Sequence, residues 1–72
     1  MPKQPDTLIE KLIDRLGDCD PTVRRNAAGA LRLHGARAVA AMSALQTLTK
    51  DEDPKVRQEA EMALERLKAI AA

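Results

Sequence analysis

Nucleophilic chemistry in this chain would have to draw on Cys19, Ser43 and His34, because it has one cysteine, one serine, one histidine and no tyrosine. Cys19 stands just before an expected helix start, where the positive end of the helix dipole favours a thiolate. His34 is expected at the far end of that same helix, about 20 Å away at 1.5 Å per residue. The two cannot meet within one chain, and Ser43 has no neighbouring base. One His and one Cys also fall short of the three or four ligands of a usual zinc site. The residues therefore point away from an enzyme, a metal centre and a bound cofactor.

Carboxylates are plentiful, but their spacing assigns them to turns. Asp20 and Asp53 each precede a proline, Pro21 and Pro54. A capping side chain followed by proline at the first helical position is a helix start. Thr7, with Glu10 three residues later, forms a capping box ahead of Leu8, Ile9, Leu12, Ile13 and Leu16, and Gly17 ends that run. The second helix opens at Asp20-Pro21, turns Val23, Ala27, Ala30, Leu31 and His34 inward, and closes at Gly35. A third, with no clear cap, is expected over 37–49 with Val39, Met42, Leu45 and Leu48 inward. The fourth opens at Asp53-Pro54 and faces Val56, Ala60, Ala63, Leu64, Leu67 and Ile70 inward. Residues 1–5 carry two prolines and read as a disordered lead.

Composition agrees with an all-α fold. The chain has 72 residues, 44% of them hydrophobic, and no Phe, Trp or Tyr. Alanine and leucine, both good helix formers, dominate the apolar set. Missing aromatics also remove stacking platforms for bases and aromatic cages for cations. A lone cysteine cannot close an internal disulfide. No apolar run is long enough to span a bilayer, and the N-terminus lacks the apolar stretch of a signal peptide, so a cytoplasmic, membrane-free protein is expected.

The two proline starts are copies of one another. Asp18-Cys-Asp20-Pro21-Thr-Val23-Arg24 and Asp51-Glu-Asp53-Pro54-Lys-Val56-Arg57 match at an offset of 33 residues, and self-similarity at such a period signals a repeat architecture. Helix, short turn with Asp-x-Asp-Pro, then a helix opening Val-Arg resembles HEAT repeats, in the short variety of phycobilisome-lyase-like proteins. The resemblance implies two helix-turn-helix repeats, 6–35 and 36–72, stacked as a short α-solenoid of four helices. It further implies that Asp18, Arg24, Asp51 and Arg57 form a ladder between repeats. The second helix of each pair would then line the side where partners bind. Arg25, Gly29, Arg32 and Leu33 share that face in the first unit, and Gln58, Met62, Glu65 and Arg66 in the second. Gly29 leaves room there for a partner backbone or a neighbouring helix.

Charge sharpens the choice of partner. Net charge is +1, divided into −2 over residues 1–20, +5 over 21–50 and −2 over 51–72. In the 33-residue register Arg32 falls opposite Glu65, so acid lies beside base on neighbouring helices rather than leaving the continuous basic stripe that phosphates need. Nucleic acid is thus disfavoured. Two repeats are fewer than the three or so that such arrays need, and the ends are expected to stack on another copy or on a larger helical-repeat protein. The expected function is a non-catalytic protein-interaction module, a small scaffold or adaptor. The alternatives are an accessory part of a bilin lyase-like, chromophore-processing complex and a helical-repeat nucleic-acid binder.

Overall fold

The computed structural model describes residues 7–72; the expected lead over residues 1–5, together with Asp6, lies outside them. The described chain is all-helical: α1 (Thr7–Arg15), α2 (Pro21–His34), a 3-10 segment (Gly35–Ala41), α3 (Met42–Leu48) and α4 (Pro54–Ala71). No helix is long and apolar enough to cross a membrane among the described residues.

The starts of α2 and α4 follow from side-chain capping. Asp20 is extended, and its carboxylate accepts from the Thr22 N–H at 2.9 Å. Asp53 does the same with the N–H groups of Lys55 at 2.8 Å and Val56 at 3.1 Å. Each proline then occupies the first turn, where its missing N–H leaves nothing unbonded. Thr7 is the first residue of α1 rather than the one before it.

Two local expectations need correction. Gly17 does not close α1 in a left-handed conformation; the helix unwinds through tighter bonds, Leu16 N–H to Ile13 O, Gly17 N–H to Asp14 O and Asp18 N–H to Arg15 O, all at 3.1 Å. Gly35 alone among the described residues has a positive φ, 61°, and it breaks α2. The second correction concerns the expected helix over 37–49, which is not one α-helix. Only α1, α2 and α4 run for more than two turns. Between α2 and α4 the chain forms the 3-10 segment and then the seven-residue α3. No Ser, Thr, Asp or Asn stands at the start of that stretch to set an α-helical first turn. Spacing favours the tighter form, because side chains three apart eclipse on a 3-10 helix. Ala38 and Ala41 point inward together and are fully buried, while the expected Val39 and Met42 are only half-buried.

The core is built from leucine and alanine. Leu31, Leu45, Leu67 and Val56 are its largest fully buried side chains, and Ala28, Ala38, Ala41, Ala60 and Ala63 are sealed beside them. Alanine at these contacts lets helix backbones approach closely. Helices α2 and α4 lie side by side and run in the same direction. Arg24 meets Asp51 at their starts, Gly29 lies under Glu59 midway, and Gly35 is beside Ile70 near their ends. Helix α1 packs on α2, and α3 packs on α4.

Candidate protein-interaction surface

The contact that ties one turn to the next is a bidentate ion pair. Arg24 donates through Nε to Asp51 Oδ2 at 2.8 Å and through Nη2 to Asp51 Oδ1 at 3.1 Å, while its Nη1 donates to the Asp18 carbonyl at 2.7 Å. Two parallel bonds between a planar guanidinium and a carboxylate fix orientation as well as distance. The side chains are only 17% and 12% exposed. Arg24 holds the Asp51 carboxyl below the usual carboxylate range, helped by the Asp53 N–H that donates to Oδ1 at 2.9 Å. The same pair raises the Arg24 pKa.

Arg57 and Asp18 make only the local half of this arrangement. Arg57 Nη1 donates to the carbonyls of Asp51 at 2.7 Å and Glu52 at 3.1 Å, but no carboxylate meets its guanidinium among the described residues. The Asp18 carboxylate accepts the Asp20 N–H at 2.8 Å and no guanidinium. Of the four ladder residues, then, Arg24 and Asp51 form a rung, and Asp18 and Arg57 stand at its two ends.

Residues equivalent by the 33-residue offset differ in burial, and the differences mark two end faces. Val56, Ala63 and Leu67 are fully buried, whereas Val23, Ala30 and His34 are half-open. A groove of about 410 Å³, lined by Leu12, Arg15, Val23, Asn26, Ala27 and Ala30, runs along that first face. At the opposite face the fully buried Ala28 is replaced by the exposed Glu61, and the half-buried Gly29, Arg25 and Arg32 by the exposed Met62, Gln58 and Glu65. The face before α2 sets the half-open Val23 and Ala30 beside Arg15 and Asn26; the face beyond α4 sets Glu61, Gln58 and Glu65 around the exposed Met62.

The residues expected to bind a partner divide in two. Arg32, Met62, Glu65 and Arg66 come together, with Ala69 and Ile70, around a groove of about 450 Å³. Met62 is 38% exposed and Ile70 39% exposed, so apolar surface lies open among charges. Arg32 lays its Nε under neighbouring atoms with no acceptor. Gly29 takes no part in this groove, since a Cβ there would lie 3.3 Å from Glu59 Oε2 on α4. It belongs to the joint between the two helices. Arg25 is half-buried and outside the groove; Gln58 is exposed and also outside it. Leu33, 78% exposed, projects elsewhere. Ile70 and Ala69 were not among the expected binding residues. Their signal in the sequence is continuation of the stripe Met62, Arg66, Ile70 at helical spacing.

A third, wider hollow of about 930 Å³ lies on the turn side, around Cys19, Arg24, Ser43 and Asp51. Cys19 and Ser43 thus share a hollow, but His34 is not part of it and Asp51 is already held by Arg24. No group of three His, Cys, Asp or Glu side chains could hold a metal ion among the described residues.

The doubled turn and its Arg24–Asp51 rung agree with the family comparison: the model for HEAT repeats matches residues 9–72. The chain belongs to the HEAT repeat family. No curated protein and no solved structure matches it. HEAT repeats commonly serve as protein–protein interaction modules, and in this HEAT repeat chain the second helices α2 and α4 carry the groove.

Proposed function

We propose that this HEAT repeat protein is a non-catalytic interaction module, a small scaffold or adaptor, that engages a protein partner along the outer face of α2 and α4. The groove of Arg32, Met62, Glu65, Arg66, Ala69 and Ile70 carries this reading, because Met62 and Ile70 stay open to solvent beside guanidinium groups with no partner among the described residues. Quantitative affinity enrichment from native extract with the wild-type chain and with Met62→Glu tests it. At least one protein should be retained by the wild type, lost by the variant, and bound directly once purified. A profile identical for both chains sinks the proposal. A chromophore lyase among the retained proteins would instead favour an accessory role in a bilin lyase-like complex. Nucleic-acid binding gains nothing from this groove, since Glu65 lies in it with the two arginines.

End-to-end stacking is favoured by a separate observation. Val23, Ala30 and His34 are half-open where their equivalents Val56, Ala63 and Leu67 are fully buried. This difference supports the reading that the face before α2 takes another copy or the helices of a larger solenoid. Sedimentation of the purified chain across micromolar concentrations checks the first case: association that weakens in Val23→Glu supports it, and a monomer throughout removes it.

A further inference from the structure

The proposed partner face has a chemistry that selects its occupant. Of the groove's six lining residues, two are arginines, one is a glutamate and three are apolar. Neither the Arg32 nor the Arg66 guanidinium has an ion-pair or hydrogen-bond partner among the described residues, Glu65 included. Arg32 carries the stronger demand. Its Nε is shut off from water yet meets no acceptor among the described residues. A carboxylate engaging the rest of that planar head would supply the missing negative charge in the geometry that arginine favours. Beside it, Met62, Ala69 and Ile70 offer an apolar floor, and methionine adapts to varied side-chain shapes.

We infer that this groove takes a partner segment in which a carboxylate side chain lies next to an aliphatic one. The inference rests on the partner-face reading and adds the class of ligand to it. Size and charge set its limits. About 450 Å³ holds a few side chains of an extended segment rather than a whole folded surface. Glu65 repels a second negative group placed beside it, so the occupant alternates acidic with apolar positions and is not a uniform polyanion.

Fluorescence anisotropy with three short labelled peptides tests this: one alternating glutamate and leucine, one lysine and leucine, one glutamate and serine. The glutamate–leucine peptide should bind, and added salt should weaken it. Arg32→Gln and Arg66→Gln should each weaken it about tenfold. Ile70→Ser should weaken it too, and circular dichroism identifies any variant that has lost its fold. Arg66 and Ile70 are exposed, so those two variants keep the test open even if Arg32→Gln unfolds. Binding of the lysine–leucine peptide with equal affinity, lost in Ile70→Ser, would overturn the acidic class while leaving the groove a docking face. Equal binding of the glutamate–serine peptide would overturn the aliphatic half. If no peptide binds while enrichment from extract still depends on Met62, the ligand class is wrong and the face remains; if that dependence is also absent, both readings fall.

Discussion

Replacing Gly29 with alanine sets two opposing effects against each other at the joint between α2 and α4. Glycine in a helix interior costs about 0.8–1.0 kcal/mol relative to alanine. Gly29 is not in a left-handed conformation, so no backbone strain opposes the change. Against the gain stands one close approach, the new Cβ at 3.3 Å from Glu59 Oε2. That oxygen is the far end of a flexible side chain, and Glu59 has no hydrogen-bond or ion-pair partner to lose among the described residues. A shift of a few tenths of an ångström stays below the ~0.5–1.5 kcal/mol of an off-rotamer torsion. Gly29→Ala should therefore stabilise the protein by roughly 0.5–1 kcal/mol and raise Tm by about 2–8 °C. Gly29→Leu overpacks the same spot and should cost about 1–3 kcal/mol. Because the chain has no aromatic residue to report by fluorescence, urea unfolding is followed by far-UV circular dichroism. The midpoint should rise for alanine with an unchanged slope. A loss of stability in Gly29→Ala would refute the reasoning, showing that Glu59 cannot yield, and Glu59→Ala in the same chain should then restore the gain.

Three other outcomes follow from the packing and the ion pair. Asp51→Asn should lower stability at neutral pH far more than Asp18→Asn, since a guanidinium meets the first carboxylate and not the second. The depressed Asp51 carboxyl adds stability above its unfolded pKa of about 3.9, and this is lost as pH falls through the lower folded value. Acid titration of stability should hence fall more steeply below about pH 4 in the wild type than in Asp51→Asn, and parallel curves would contradict the pairing. Val56→Ala, at a fully buried site, should cost about 1.5–3 kcal/mol, and Val23→Ala less than half as much; equal losses in denaturant melts would mean that Val23 is covered. Leu31→Ala should cost about 2–5 kcal/mol, a large share of the roughly 4–11 kcal/mol expected for a chain of this size, so an unchanged urea midpoint would count against Leu31 as a central core residue.

The parts of the fold that were legible are those decided within a few residues. Asp20-Pro21 and Asp53-Pro54 mark helix starts because capping and the proline ring act locally. The 3-10 segment was not legible as such. Ala36, Ala38, Ala40 and Ala41 suit an α-helix by propensity, and only burial of Ala38 and Ala41 against neighbouring elements selects the tighter winding. The surface divides in the same way. That Arg24 meets Asp51 rather than Asp18 through their side chains is a contact across 27 residues, and family resemblance suggested it where spacing alone could not. Helical period places Ile70 inward, yet it is exposed and lines the groove. The same period places Gly29 outward, and only the position of α4 shows that Glu59 lies above it.

The exposed Glu61, in the place of the sealed Ala28, bears on symmetry. An open filament needs a heterologous joint, one face of each subunit received by the opposite face of the next. Such a joint would bring the exposed Glu61 toward the face where Val23 lies half-open, and its carboxylate would have to be paired or left buried there. A copy that met another through this same face on both partners would make an isologous pair that closes at two.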